Sequence, residues 1–162
     1  MAKKTLLNKE IHRELGCNSF NAVWDIMGKE NPSDDDICEA IRLAHVSTWH
    51  WKFAGTELNQ QRGEWICSRV HAHFSFGKEA LYYAKRCYDL TMKHGFTDFD
   101  LGYGYECMAR AYMVLGKNKL KEKFLKLAVE AADQIKKKTD KEYFSKRIIW
   151  CDKMQDMFFS IL

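Results

Sequence analysis

An all-α fold follows from three features of the sequence. The 162 residues hold one proline and nine glycines, too little turn punctuation for many short strands. Helix-start and helix-stop signals recur along the chain, and no segment sustains the period-two alternation of a half-buried strand. At 46% hydrophobic and 30% charged residues the composition is globular, since disorder requires few apolar groups and a high net charge. The length fits one domain, 1–162, with a core that needs no staples.

The first helix lies in "NSFNAVWDIMGKE", which turns Phe20, Val23, Trp24 and Met27 inward, and the pattern permits an extension back through Gly16. "NPSDDDICEA" starts the second: Ser33 is the N-cap, and Asp34, Asp35 and Asp36 fill the first turn near the positive end of the helix dipole. Its apolar stripe, Ile37, Ile41, Ala44, Thr48 and Trp51, runs to a stop at Gly55. These two helices form an N-terminal pair over 5–55. Thr56 caps the third helix, which carries "RGEWICSRVHAH". Gly77 separates it from the fourth, where Ala80, Tyr83, Ala84, Cys87 and Leu90 share a face and Lys93, His94 and Gly95 mark the end. Thr97 and Asp100 stand at capping-box spacing before the fifth helix, which stops at Gly116. "NKLKEKFLKLAVEAADQIKKK" is the sixth. Thr139 and Glu142 form a capping box for a closing helix over 140–162, giving about seven helices.

Several function classes lose support at this level. The six cysteines are scattered without a CxxC pair, which suits reduced thiols better than a disulfide framework or a metal site. His71 and His73 lie about 160° apart on a helix, and His45 and His50 about 140°, so neither pair shares one metal ion. No metal and no cofactor is expected. No apolar run reaches membrane-span length, and charges interrupt the N-terminus before a signal-length apolar core, so the sequence reads as cytoplasmic. The net charge of +4 comes from lysines that fan around the sixth helix among acidic residues, a solvated face that makes nucleic acid an unlikely partner. Cys67, Ser68 and His71 neighbour one another on a helix without the strand–helix elbow that exposes a nucleophile, so no catalytic residue is assigned.

The chain repeats itself at an offset of about 41 residues. "SRVHAHFS" lies over "ARAYMVLG", pairing Arg69 with Arg110, His71 with Tyr112 and Phe74 with Leu115; downstream, Tyr83 meets Phe124 and Cys87 meets Ala128. Each helix pair resembles a tetratricopeptide repeat, the best copies being 60–95 and 98–138. Tyr105, Met108, Ala109, Tyr112, Gly116, Leu125 and Ala128 fall at the motif's spacing in the second copy. The first copy is degenerate, the offset exceeds the usual repeat of about 34 residues, and the motif's closing proline is absent from both. "AHVSTWHW", "RGEW" with "SRV", and "DFDLGYGYE" also resemble, as a set, bacterial helical proteins of similar size, a resemblance that implies no activity.

The tetratricopeptide resemblance implies antiparallel helix pairs in a short right-handed superhelix with a concave groove. The groove positions carried onto this chain are Arg62, Trp65, Arg69 and His73 in the first copy and Tyr103, Glu106 and Arg110 in the second, with His45 and Trp49 as secondary candidates. Lysine and asparagine, which grip peptide C-termini in the dicarboxylate-clamp subclass, are replaced at two of these positions by Trp65 and Arg69. The expected role is non-enzymatic: an interaction module for a peptide or protein partner. Two alternatives stand beside it. One is a homo-oligomer, such as a homodimer, associating through the closing helix, whose Ile148, Trp150, Met154, Phe158 and Phe159 spread around its circumference. The other is a small-molecule binder for an anionic ligand, or an enzyme, using the Arg/Trp/His/Glu face. The same residues also fit an internal Arg–Glu–aromatic network between adjacent helices, with Arg69 or Arg110 paired to Glu106. Steps of three and four residues between Arg62, Trp65 and Arg69 let a guanidinium lie over the indole. Arg110, four residues from Glu106, is expected to be structural, and Arg69, four residues from Trp65, the exposed binder.

Overall fold

The computed structural model describes residues 7–137 together with Thr139, Lys141, Glu142, Phe144 and Ser145. Six helices run through them: α1 (Lys9–Met27), α2 (Asp34–Ala54), α3 (Glu57–His73), α4 (Gly77–His94), α5 (Asp98–Val114) and α6 (Asn118–Asp133). No strand occurs among the described residues. The five residues described beyond 137 have helical backbone at the start of the expected closing helix; the rest of that helix, with the apolar girth that suggests a dimer contact, lies outside the described residues.

Local chemistry sets most helix ends. Asn8 Oδ1 accepts from the Ile11 N–H at 2.8 Å, so α1 begins at Lys9 and does run through Gly16. Ser33 and Asp36 close a reciprocal capping box at 3.2 and 3.0 Å. Gly95 ends α4 at φ +63°, a left-handed conformation that costs glycine nothing. Two ends differ from the sequence reading. Ser75, at φ +65°, makes the turn between α3 and α4, and Gly77 already belongs to α4. A Cβ on Gly77 would stand 2.8 Å from Leu115 Cδ2, so close packing explains that glycine. Thr97 does precede α5, but its side chain makes no cap hydrogen bond, and the Asp100 carboxylate, the other half of the expected box, is held by Arg62 of α3.

Successive helices pack side by side, while α3 also touches α1 and α5. The pairings run antiparallel: His12 meets His50 and Gly16 meets Ser47, then Glu64 meets Arg86 and Ser68 meets the Ala80 carbonyl. Two layers result. One contains α1 and α5, each in contact with α3 between them; in the other, α2, α4 and α6 have no Cα within 8 Å of each other. The array therefore closes up on the α1/α3/α5 side.

Small residues form the seams. The buried stripe of α2 is Ala40, Ala44, Ser47 and Thr48, leaving Ile37, Ile41 and Trp51 only half-buried at its flanks, a shift from the sequence reading. In α4 it is Ala80, Ala84, Cys87 and Thr91. At the seam between α2 and α3 a Cβ on Gly63 would lie 2.8 Å from Thr48 Cγ2; between α4 and α5 a Cβ on Gly104 would lie 2.8 Å from Thr91 Oγ1. The two glycines are separated by the same 41 positions as Trp65 and Glu106. The lysine-rich α6 keeps most of its cations in solvent, but Lys121 is buried.

Gly104→Ala tests how tight the seam is. Alanine raises helix propensity by about 1 kcal/mol, yet here its methyl displaces Thr91, and overpacking of a close seam costs about 1–3 kcal/mol. The variant is expected to unfold at lower urea than the parent. A rise in the midpoint would mean that α4 and α5 have room to separate.

Candidate functional site

Glu106 of α5 is only 1% exposed and sits between α5 and α3. Its Oε1 accepts from Arg110 Nε at 2.7 Å and from a second Arg110 nitrogen, one turn along the same helix. Its Oε2 accepts from Trp65 Nε1 of α3 at 3.1 Å. Arg69, one turn beyond Trp65, brings a guanidinium nitrogen within 3.7 Å of Oε1. Burial alone pushes this carboxyl up, but Arg110, Arg69 and the Trp65 hydrogen bond outweigh it and hold the group below its ordinary value.

This network corrects the expected placement of Arg69. Its side chain is 11% exposed, against 3% for Arg110, so both arginines are interior groups. Arg69 does cover an indole, but that of Trp24 on α1, at 5.6 Å from the ring centroid. The reason is that Trp65 turns its N–H edge toward Glu106, and a single buried carboxylate draws in both guanidinium groups.

Beside the network the α1/α3/α5 layer forms a half-open cavity of about 270 Å³. Five of its walls are rings: Phe20 and Trp24 from α1, Trp65 from α3, Phe99 and Tyr103 from α5. The rings brace one another, Trp24 to Trp65 at 6.0 Å, Trp65 to Tyr103 at 4.7 Å and Phe99 to Tyr103 at 4.5 Å. Such tilted and edge-on pairs contribute about 0.5–1.5 kcal/mol each beyond their burial. Phe144 backs the far side of Tyr103 at 5.0 Å. The polar walls are Gln61, Arg62 and Asp100. Arg62 and Asp100 form a two-pronged ion pair at 2.8 and 3.0 Å, with Arg62 half in solvent. That hydrogen bonding raises the arginine's already high pKa.

The structure thus divides the residues proposed from sequence. Arg62, Trp65 and Tyr103 line the cavity, while Glu106, Arg110 and Arg69 form its foundation. His73 lies near Met27, where burial first, then Arg69 and Arg110, lower its pKa and favour the neutral ring. His45 is on another face and Trp49 is half exposed at the α1/α2 edge; neither lines this cavity. Sequence reasoning missed Phe20, Trp24, Gln61, Phe99 and Asp100 as walls. One available signal was that Trp24 precedes Trp65 by the same 41 positions that separate Trp65 from Glu106.

A second polar cluster fills the α2/α3/α4 interface. Cys67 Sγ lies 3.6 Å from His45 Nδ1 and 3.4 Å from Thr48 Oγ1, while His71 stacks on Tyr83 at 5.3 Å. Burial pushes the Cys67 thiol up to about 12 and lowers the pKa of His45. Both shifts oppose a thiolate–imidazolium pair, which is what a cysteine nucleophile needs. The cluster packs as part of the polar core between these helices. Among the described residues no group of three or more His, Cys, Asp or Glu could hold a metal ion, and no helix is long and apolar enough to cross a membrane.

Fold and site together define a two-layered, all-helical protein with an aromatic cavity in its inner layer. Comparison with protein-family models, curated proteins and solved structures returned no match to this chain.

Arg110→Ala is expected to cost about 3–5 kcal/mol, because it leaves a buried carboxylate short of its main partner. Arg69→Ala, losing a longer contact, should cost about 1–3 kcal/mol. Glu106 has a depressed pKa, so its stabilisation is present above the ordinary carboxylate range and fades as pH falls through it. Urea titrations at neutral and acid pH measure all three effects. An Arg69→Ala change within about 0.5 kcal/mol would return Arg69 to the surface.

Thiol chemistry provides a separate check. Iodoacetamide at pH 8 should label the exposed Cys38 in the native protein and leave Cys67, Cys87 and Cys107 unmodified until denaturant is added. Mass spectrometry of the digested protein distinguishes them. Rapid native labelling of Cys67 would contradict its burial.

Proposed function

We propose that this chain is a non-enzymatic binding module on a tetratricopeptide-like scaffold, taking one ring-bearing side chain of a peptide or protein partner into the α1/α3/α5 cavity. The observation that carries this reading is the cavity itself: about 270 Å³, five aromatic walls, and an internally neutralised ion pair among its polar walls. Concave sites of mainly apolar lining with a few placed polar groups are the usual form of a binding site. The volume is small for a cofactor but ample for a ring, since a cavity of about 150 Å³ already accepts benzene. The recurrence of the Gly63–Thr48 contact as Gly104–Thr91 supports a repeated scaffold, and the suppressed thiol of Cys67 weighs against chemistry in the neighbouring cluster.

Selection of random displayed peptides against the full-length chain tests the reading. Enriched peptides should share one aromatic residue, and replacing it with alanine should weaken binding about 30-fold, the effect of a 2 kcal/mol hot spot. Phe20→Ala in the protein should weaken the same peptides. Enrichment without a common ring, or binding indifferent to Phe20→Ala, would overturn it.

A further inference from the structure

Gln61 is fully buried, yet only half of its amide is used. Its Nε2 donates to Thr91 Oγ1 of α4 at 3.0 Å and to the Asp100 backbone carbonyl of α5 at 3.2 Å. These neighbours fix the amide's orientation. Thr91 has committed its own hydroxyl hydrogen to the Cys87 carbonyl at 2.8 Å, so it presents a lone pair, and the Asp100 carbonyl is an acceptor by nature. A flipped amide would set oxygen against two acceptors. The donor half of Gln61 therefore ties α3 to α4 and α5, and the acceptor half is left over: Oε1 is buried and has no hydrogen-bond partner. Buried side-chain acceptors are rarely left unpaired, and each such case calls for a reason.

Gln61 lines the aromatic cavity. The other polar walls are already engaged. Both Asp100 oxygens hold Arg62, and the Trp65 N–H is spent on Glu106. An anion entering here meets a guanidinium whose charge Asp100 already offsets, and a cation meets the Arg62 guanidinium beside a carboxylate that is already neutralised. The ring of Trp24 already lies under a cation, Arg69.

We infer that the cavity selects a neutral planar ring bearing a polar hydrogen, the ring packing against Trp24, Trp65 and Tyr103 while its N–H or O–H donates to Gln61 Oε1. This deepens the reading that the cavity receives a ring, and it rests on that reading. The recognised group is thus an indole-like or phenol-like ring in preference to a plain hydrocarbon ring of the same size. A site built around a hydrogen-bond acceptor rejects the isostere lacking the donor more strongly than an apolar wall rejects an extra methylene.

Indole and 1-methylindole, and phenol and anisole, are the probes, titrated into the full-length protein while the Trp24 and Trp65 side-chain resonances are followed by two-dimensional NMR. Indole and phenol should bind at least tenfold more tightly than their methylated counterparts. Gln61→Met should bring each pair to equal affinity. Should that variant fail to fold, the comparison of ligands on the parent protein decides the matter alone. Equal affinity within each pair, or no binding of either member, overturns the inference. If peptide selection nevertheless yields ring-dependent binders, the cavity remains a ring site and only the role of Gln61 falls. If no ring binds in either format, both readings fall together.

Discussion

The inner layer depends on one buried carboxylate. Glu106 is an expensive group to remove from water, and its burial is sustained only because three donors reach it from two helices. Those donors are thereby fixed in place. Trp65 cannot swing its indole without losing the Glu106 bond, so its ring face stays turned to Trp24 on one side and Tyr103 on the other. Arg69, drawn inward to the same carboxylate, covers the back of Trp24. The cavity's aromatic walls are thus set from beneath by electrostatics and not by ring packing alone.

The second constraint is distance between helices. Alanine, glycine, serine and threonine at the seams let neighbouring backbones come close, so that backbone and short side chains make the inter-helix hydrogen bonds. Ser47 donates to the Gly16 carbonyl at 2.8 Å, Thr48 to the Gly63 carbonyl at 3.0 Å, and Ser68 to the Ala80 carbonyl at 3.0 Å. The large side chains displaced from these seams gather in the inner layer. Close seams and an aromatic cavity are two results of the same distribution of residue size.

What was legible in the sequence was what local chemistry decides. Ser33 with its aspartates and Gly95 behind Lys93 and His94 mark helix ends because capping acts within one turn. The all-helical class and the Arg110–Glu106 pair follow from spacing along one helix. Misreadings arose where a distant residue outcompeted a local one. Asp100 has the right spacing to cap α5, but a two-pronged bond to a guanidinium 38 residues earlier in the chain is the stronger partner. Arg69 has an indole four residues away and uses the one on α1 instead. Gln61 gave no signal at all, since a lone glutamine on a helix has no pattern to betray that both its amide partners lie on other helices.

The layering also has a mechanical consequence. Because α2, α4 and α6 never approach one another, the outer layer offers no direct resistance when the array is flexed. Successive pairs are joined instead where α2 packs on α3 and α4 on α5, and on the inner side through α3, where the aromatic walls and the Arg62–Asp100 pair stand between α1, α3 and α5. A group that fills the cavity therefore stands between α1, α3 and α5, touching a helix of every pair in the array at once.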